Sequence, residues 1–561
     1  MSTKPEFKIV PNVKQVPHIH NILQELQRFH GYVESSPTGA GKTFVTSCVA
    51  NELGLAMMVI CPNQVIHTWH SIIEEGGAWI PLLFTQGEIR GSSANQITKF
   101  PYLRRVETIS YNENGKQIKE TDFVTTDYFD QLLDKGIFVV FDEISTMKNE
   151  GSQITQAASA LINRLISRST KSRYALISAL LVDSNEQAST YAAMMGFYHG
   201  NLTSYNPSTK QHDVSGLLEA VRSFNWLSPE GTNQVLQQYD VIDSRMDQAK
   251  AESIVYDLMK FVAQPRIFFR LPPSVVDKDE AAYYYNMTDL EYEKYKMAVK
   301  ALEELLMFDP NTNSVRGVKL KDHETLTRDL EYTKLGIIVR EVIKVLSEQP
   351  TSKIIVNADS VGSIIMLDDA FTAIGVHHAV IRGGVDDKDR ADIINAFQEP
   401  SLRLRLILAT TRTAGMGISL HDKHGGFPRT TFIFQRFGIM STYQAANRTI
   451  REGTMSKATV RIVFGKHHSQ NADEVEVKER RIIDAADRRS TVAKDFHSTG
   501  AGAALYPADY PQIFAVPDPN MPPFSLPQLE QDGIARLTAT DIQNIKAGRS
   551  HYNAQTSIFT K

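Results

Sequence analysis

The sequence predicts an α/β fold with two parallel-sheet lobes, a helical insertion in the first lobe and an extension after the second. Up to about residue 185, short apolar runs alternate with longer helical patterns, which is typical of parallel strands joined by crossover helices. The runs MMVICP (57–62) and IFVVF (137–141) are continuously apolar, as are strands buried on both faces. Strand-like runs such as KIIVNA and RLRLILAT return between about residues 330 and 465 and predict the second lobe.

The remaining segments predict the connections. Residues 186–260 are mostly polar with helical patterning, which indicates an insertion. Residues 288–306 predict a helix that begins with a capping box formed by Thr288 and Glu291, and the polar stretch 308–323 follows as a loop. The predicted domains are an N-terminal lobe 1–275, a helical linker 276–330, a second lobe 331–465, and a C-terminal helix with a proline-rich tail 466–561.

Composition restricts the classes of protein to which the chain can belong. Hydrophobic residues make up 42% and charged residues 22% of the 561, as in ordinary globular proteins. No apolar run approaches the ~20 residues that a membrane helix needs, and MSTKPEFKIV lacks the apolar core of a signal peptide. Cys48 and Cys61 are too few for a disulfide framework, so we expect a soluble intracellular protein, in nucleus, cytoplasm or virion. With a net charge of −4, any nucleic-acid site must be a local patch.

A phosphate-binding loop is the first functional motif. Residues 36–43 read SPTGAGKT, the P-loop pattern with serine in place of its first glycine. Gly39 and Gly41 let successive backbone N–H groups curl toward phosphate oxygens. Lys42 would reach the β- and γ-phosphates, and Thr43 would ligate Mg²⁺. The candidate nucleotide-binding residues are therefore Ser36, Pro37, Thr38, Gly39, Ala40, Gly41, Lys42 and Thr43.

Two adjacent carboxylates indicate which reaction the nucleotide undergoes. Asp142 and Glu143 end the buried run IFVVF, about a hundred residues after Lys42. A strand end beside the P-loop is where Mg²⁺ needs a carboxylate, so Asp142 would hold the metal. Glu143 could then polarise a water toward the γ-phosphate. The alternative is an acidic strand-to-loop cap that binds nothing. Paired carboxylates favour hydrolysis of the nucleotide over phosphoryl transfer to a second substrate.

With these motifs in place, the chain resembles the superfamily 2 helicases and translocases, and among them the Swi/Snf-type DNA-dependent ATPases. SPTGAGKT looks like helicase motif I, MMVICPNQVIHTW looks like motif Ia, and DEISTMKN is similar to the remodeller form of motif II. PRIFFRLPP followed by MTDLEYEKY is similar to the segment that remodellers carry between their lobes, which favours double-strand translocases. We expect a divergent branch, such as the nucleoside triphosphatases of large DNA viruses or phages.

The second lobe continues the resemblance. QAANRTIREGT is close to motif VI and LILATTRTAGMGISL to motif V. The resemblance implies ATP between two RecA-like lobes, with Arg448 and Arg451 as arginine fingers and Gln444 coupling that site to the nucleic-acid groove. Gln444, Arg448 and Arg451 fall at i, i+4 and i+7, which predicts one face of a helix.

Motif V supplies the candidate nucleic-acid contacts. Thr410, Thr411 and Arg412 offer hydrogen-bond donors to phosphate oxygens, and Gly415 allows close backbone approach. An ordinary strand-to-helix turn is the alternative interpretation of these residues.

The sequence departs from the family pattern at several positions. Ser36 replaces a glycine, Ser145 replaces the last residue of the DExH/D box, and Asn447 replaces the glycine of motif VI. The stretch 179–181 replaces the Gly-Thr-Pro of motif III, and His20 stands where many relatives use glutamine to read adenine. None of these changes removes a catalytic side chain.

The sequence thus predicts a nucleic-acid-dependent ATPase that uses ATP and Mg²⁺ to move along double-stranded DNA, with a possible recruiting protein bound through the C-terminal tail. Two alternatives stay open. One is a strand-separating helicase on DNA or RNA, for which a hairpin within residues 186–260 would supply a separation pin. The other is a non-catalytic, nucleotide-bound subunit of a larger assembly.

Overall fold

The described part of the chain forms two compact units. A computed structural model describes residues 5–90, 100–111, 117–147, 149, 151–179, 181–182, 184–239, 242–272, 276–305, 307–308, 315–316, 320–411, 418–434, 439–451, 453–467 and 496. The first unit comprises the described residues up to 272 together with Phe496, and the second comprises those from 276 to 467.

The first unit contains a parallel main sheet and two hairpins. Its strands are β1 (Gly31–Glu34), β2 (Ala56–Cys61), β3 (Leu82–Thr85), β4 (Leu103–Tyr111), β5 (Gln117–Thr125), β6 (Ile137–Asp142), β7 (Arg173–Ile177), β8 (Ser204–Asn206), β9 (Gln211–Asp213) and β10 (Phe268–Phe269). The main sheet has the order β10-β1-β7-β6-β2-β3, and every pairing in it is parallel. Strands β2 and β6 are buried throughout, which confirms the two continuously apolar runs as core strands.

Helices cover this sheet and form the insertion. They are α1 (Gln15–Glu25), α2 (Lys42–Glu52), α3 (Ile66–Glu74), α4 (Gln86–Ile89), α5 (Asp127–Lys135), α6 (Gln153–Arg168), α7 (Asn185–Met194), α8 (Ser215–Leu227), α9 (Pro229–Leu236), α10 (Gln248–Leu258) and α11 (Gln264–Ile267). The predicted insertion holds α7 to α10, as its helical patterning indicated. It also holds the antiparallel hairpin β8–β9.

The second unit has its own parallel sheet. Its strands are β11 (Lys278–Met287), β12 (Met307–Phe308), β13 (Val315–Arg316), β14 (Lys353–Ala358), β15 (Ala379–Ile381), β16 (Leu406–Thr410), β17 (Arg429–Phe434) and β18 (Ala458–His467). Its helices are α12 (Asp289–Leu305), α13 (Leu320–Thr333), α14 (Leu335–Glu348), α15 (Val361–Ala373), α16 (Asp387–Gln398) and α17 (Ile439–Ala446). The main sheet has the order β11-β18-β17-β14-β16-β15 with parallel pairings.

The segment predicted as a helical linker is more than a linker. Its helix α12 begins with the predicted capping box: Thr288 N–H donates to Glu291 Oε2 at 2.9 Å, and Glu291 N–H donates to Thr288 Oγ1 at 3.2 Å. Before the helix, however, β11 pairs with β18 over ten residues. Tyr285 and Met287 of that strand are buried in the core of the second unit. The strand was not predicted because its AAYYY stretch lacks the aliphatic alternation of a typical edge strand.

These two parallel sheets confirm the predicted α/β class, with two RecA-like lobes and a largely helical insertion. Among the helices that the structure describes, none has the length and apolarity that crossing a membrane requires. Of the predicted C-terminal extension 466–561, the described residues are Lys466 and His467, which end β18, and Phe496.

Candidate active site

The predicted phosphate loop connects β1 to α2. Gly39 and Gly41 have φ angles of 85° and 82°, in the left-handed region that favours glycine. Gly41 is the N-cap of α2, so the first N–H groups of that helix face the loop. A helix N-terminus with free N–H groups is a ready-made site for an anion such as phosphate.

Lys42 extends across this loop. Its Nζ donates to the carbonyl oxygens of Ser36, at 3.0 Å, and Pro37, at 3.3 Å. Its positive charge also acts on Asp142, where it lowers the pKa of the carboxyl. Lys42 and Asp142 are therefore close enough to interact, although 100 residues separate them in the chain.

The serine that replaces the first P-loop glycine has a structural partner. The hydroxyl of Ser36 is buried and accepts a hydrogen bond from Leu271 N–H at 2.8 Å. The next residue back, Arg270, donates from Nη1 to Ser35 O at 3.0 Å. Both contacts come from the segment after β10, which belongs to the PRIFFRLPP stretch. The loop is thus held by a segment more than 230 residues away in sequence.

Asp142 lies at the end of β6, on the same edge of the sheet as the P-loop. Only β7 separates β6 from β1, and carboxyl ends of parallel strands share one edge. Its Oδ2 accepts a hydrogen bond from Trp69 Nε1 at 2.9 Å, and its Oδ1 accepts one from Glu143 N–H at 2.8 Å. Burial and the neighbouring charge of Glu143 raise the pKa of Asp142 to about 7, while the Trp69 bond and Lys42 oppose the shift.

Glu143 has two features typical of a functional residue. Its φ angle is 51°, in a region that non-glycine residues seldom adopt. Its Oε2 atom is buried and has no hydrogen-bond partner within the described residues. Leaving a buried carboxylate oxygen unsatisfied is costly, so the arrangement fits a group that acts on a ligand or a water.

Gln86 holds the turn that carries both carboxylates. Its Nε2 donates to Asp142 O at 2.9 Å, and its Oε1 accepts from Thr146 Oγ1 at 2.7 Å. Gln86 starts the short helix α4 after β3, and the sequence offered no sign of this role. Trp69 is buried, and its hydrogen bond to Asp142 gives it a positioning role as well.

A glutamine contacts the loop, but it is not at the position expected from the family pattern. Gln15 Nε2, at the start of α1, donates to Ala40 O at 3.1 Å. His20, which the family pattern placed at the glutamine position, is exposed and bonds instead to Gln24. Buried His18 pairs with buried Glu34 at 2.8 Å just before the loop.

The motif VI residues do not share a helix face, and that prediction is wrong. Helix α17 ends at Ala446, so Gln444 is helical while Arg448 and Arg451 lie beyond its end. The chain turns there: Arg448 N–H donates to Ala445 O, three residues back, and its buried side chain donates from Nη1 to Ile418 O at 3.3 Å. The guanidinium of Arg448 is buried against the end of motif V, and the chain turns there instead of continuing as a helix.

The motif V residues are only partly described. Thr410 is the last residue of β16 and Thr411 follows it; both side chains are buried. Thr411 Oγ1 has no hydrogen-bond partner among the residues that the structure describes. Arg412 and Gly415, the other two predicted nucleic-acid contacts, lie outside the described residues.

The residues of the first unit fit ATP with Mg²⁺. The glycine loop, the helix N-terminus and Lys42 offer the hydrogen-bond donors that a triphosphate requires, and the unpartnered Glu143 oxygen can accept from a water beside it. Within the described residues, no three His, Cys, Asp or Glu side chains cluster as a metal cage. Mg²⁺ keeps waters and substrate oxygens and needs few protein ligands; the predicted ones are Thr43 and Asp142.

Two known proteins are similar to this chain over most of its length. No family model matches the chain. A protein named "Putative ATP-dependent RNA helicase" from Acanthamoeba polyphaga mimivirus is 23% identical over 491 residues, which is 83% of this chain and 80% of that protein. The solved SWI2/SNF2 ATPase core of Sulfolobus solfataricus in complex with dsDNA is 19% identical and covers 83% of this chain and 90% of its own, with a TM-score of 0.28. The homology to the viral protein confirms the predicted relationship to the helicases and its viral branch.

Proposed function

We propose that this chain, an ATP-hydrolysing member of the superfamily 2 helicases and translocases, moves along double-stranded DNA. The helicase relationship rests on homology over most of both chains. The substrate and the mode of movement are our inference, and the following paragraphs give what supports them.

Each residue of the nucleotide site has a part in hydrolysis. The N–H groups of the loop and of α2 bind the phosphates, and Lys42 neutralises the β- and γ-oxygens. Thr43 and Asp142 would hold Mg²⁺, which would withdraw charge from the phosphate oxygens. Glu143 orients and polarises the attacking water. Arg448 and Arg451 stabilise the charge on the transferring phosphoryl group, and Gln444 couples hydrolysis to nucleic-acid binding.

The observation that favours a double-strand motor is the bond between Leu271 N–H and the Ser36 hydroxyl. It connects the P-loop to the PRIFFRLPP stretch, the part of the sequence that most resembles remodelling ATPases. A direct contact gives that stretch a physical route to sense the state of the nucleotide loop. Thr410, Thr411, Arg412 and Gly415 would contact phosphates, so binding should be independent of sequence and weakened by salt.

Steady-state ATP hydrolysis by the purified chain tests the proposal. The rate is measured alone and with equal nucleotide concentrations of duplex DNA, single-stranded DNA and single-stranded RNA. Stimulation by duplex DNA above both single strands supports the translocase. Displacement of a third strand from a DNA triplex, dependent on ATP, then reports movement without strand separation.

Strand separation is the second candidate, because the insertion contains an exposed hairpin. Strands β8 and β9 pair from Ser204 to Asp213, and Tyr205 on this hairpin is 55% exposed. An aromatic side chain on a projecting hairpin can stack on an unpaired base. Unwinding of a forked duplex, better stimulation by single strands, and loss of unwinding in Tyr205→Ala would favour the helicase. The viral relative's name points to RNA, so RNA forks belong in that assay.

The binding-subunit alternative predicts a different result. It expects nucleotide binding without turnover on any nucleic acid, unless a partner protein is added. The full set of Lys42, Asp142 and Glu143 favours an active enzyme over this alternative.

A further inference from the structure

A cavity of about 500 Å³ opens on the first unit, away from the nucleotide loop. Gly31, the first residue of β1, and Tyr174, near the start of β7, form part of its wall. The P-loop follows the opposite end of β1, about 10 Å along a strand of this length. The cavity is therefore on the amino-terminal side of the sheet and is not part of the ATP site.

The lining of this cavity combines aromatic rings with positive charge. Trp226 on α8 is 72% exposed and packs edge-to-face on Phe29 with 6.0 Å between ring centroids. Arg28 and Arg222 are exposed residues of the same lining. The Nδ1 atom of His30 is buried without a hydrogen-bond partner among the described residues. Such a surface suits an occupant whose rings pack on the aromatic side chains and whose carboxylates pair with the arginines. A backbone N–H or C=O of the occupant could hydrogen-bond to His30.

The chain itself returns to this part of the first unit. Phe496 is fully buried there: its ring lies 5.9 Å from Phe268 and 5.5 Å from Tyr256, and its carbonyl oxygen accepts from Gln264 Nε2 at 2.6 Å. Ile267, the neighbour of Phe268 in the chain, belongs to the cavity wall. The sequence after Phe496 therefore starts close to the cavity.

The residues that follow Phe496 match the lining of the cavity in charge and in aromatic content. Residues 497–535 contain four acidic residues and no lysine or arginine. Seven prolines lie between Pro507 and Pro527, interleaved with Tyr510, Phe514 and Phe524. The ten residues from Phe496 to Tyr506 can span at most about 35 Å, which is ample for reaching the cavity.

We propose that the proline-rich segment 507–527 binds in the Trp226 cavity of its own chain. Proline-rich segments bind aromatic-lined grooves because their extended conformation is already low in entropy. Asp509 and Asp518 would pair with Arg28 and Arg222 at the rim. A partner protein that needs either surface would then have to compete with this internal contact. The inference is independent of which nucleic acid the motor uses.

Acrylamide quenching of tryptophan fluorescence in the full-length chain tests this directly. The chain has three tryptophans, and Trp69 is fully buried, so subtracting the signal of a Trp226→Phe variant isolates Trp226. The comparison chain carries Asp509→Lys, Phe514→Ser, Asp518→Lys and Phe524→Ser in otherwise full-length protein. We expect the quenching constant of Trp226 to be several-fold lower in the wild type than in this chain. Equal quenching in both would overturn the proposal.

Two controls separate the remaining explanations. Arg222→Glu should expose Trp226, whereas Lys210→Glu, the same charge change on the hairpin tip, should not. A synthetic 503–527 peptide should restore protection to the four-substitution chain, and a peptide of the same composition in scrambled order should not. Protection that appears only at high protein concentration would assign the site to a second copy and overturn the internal contact. A 503–527 peptide without effect would equally count against the segment.

Discussion

The indole N–H of Trp69 donates a 2.9 Å hydrogen bond to Oδ2 of Asp142, and both side chains are buried. This bond connects α3 to the end of β6 across 73 residues of sequence. It fixes one oxygen of the carboxylate and so restricts how the carboxylate can rotate. Trp69 is thereby a positioning residue for the predicted Mg²⁺ site.

Trp69→Phe should keep most of the packing and lose this bond. A hydrogen bond to a charged group contributes about 1.5–3 kcal/mol, so we expect the Mg²⁺ concentration for half-maximal ATPase rate to rise roughly tenfold or more. This Mg²⁺ concentration is measured by titrating the ATPase rate with Mg²⁺. Trp79→Phe is the matched control, because Trp79 Nε1 has no hydrogen-bond partner among the described residues. An unchanged Mg²⁺ requirement in Trp69→Phe would remove the positioning role.

Lys42→Ala and Glu143→Gln should each abolish hydrolysis, for different reasons. Lys42→Ala removes the cation that is predicted to bind the phosphates, so nucleotide affinity should fall as well. Glu143→Gln keeps the shape of the side chain but cannot polarise water; a general-base contribution is typically about 10²–10⁴-fold in rate. Rates come from phosphate release and affinities from a fluorescent ATP analogue, with exposed Glu75→Gln as the control. Turnover that survives both substitutions would refute the site assignment.

Ser36→Ala should destabilise the nucleotide loop. It leaves the Leu271 N–H without its acceptor, and a buried unsatisfied donor costs about 1–3 kcal/mol. We expect a lower melting temperature of the first unit and weaker ATP binding, measured by calorimetry with and without nucleotide. Ser71→Ala on α3 is the control for loss of a hydroxyl. If Ser36→Ala changes the melting temperature and ATP binding no more than Ser71→Ala does, the hydrogen bond to the PRIFFRLPP stretch does not stabilise the loop.

His421 should make the second unit sensitive to acid. Burial, together with the charges of Arg451, Lys423 and Arg429, lowers the pKa of His421 from 6.5 to about 4. Because the folded pKa is depressed, the unfolded chain binds the proton first, and stability is lost as pH falls from about 6.5 to 4. A difference of this size corresponds to ~3 kcal/mol at most.

Hydrogen exchange of β16 to β18 at pH 7 and at pH 4.5, corrected for intrinsic rates, measures that loss. His421→Gln should flatten the dependence, while the exposed His424→Gln should leave it as in the wild type. If hydrogen exchange in His421→Gln depends on pH as strongly as in the wild type, other groups cause the acid sensitivity.

Local sequence signals were sufficient wherever the structure depends on near neighbours. The buried strands β2 and β6, the P-loop before α2, and the capping box of Thr288 and Glu291 were all readable, because each is defined within a few residues. The two-lobe organisation followed from the same periodicities.

Contacts distant in sequence were not readable. The bonds from Leu271 to Ser36, from Gln15 to Ala40 and from Trp69 to Asp142 join different elements, and no local pattern encodes them. The prediction that Arg448 lies on a helix face with Gln444 was wrong for a related reason. Their spacing is helical, but the burial of the Arg448 side chain against Ile418 favoured a turn. The unpredicted strand β11 is also stabilised by a distant partner, β18.

That pairing of β11 with β18 has a mechanical consequence. The chain enters the second unit through β11, so tension on the connection from the first unit is first borne there. A pull along the axis of β11 acts on all the hydrogen bonds of its ten-residue pairing with β18 at once. These bonds must then break together instead of one after another. Under a pull in that direction the entry strand resists without peeling, and a fragment that began at residue 331 would lack this strand.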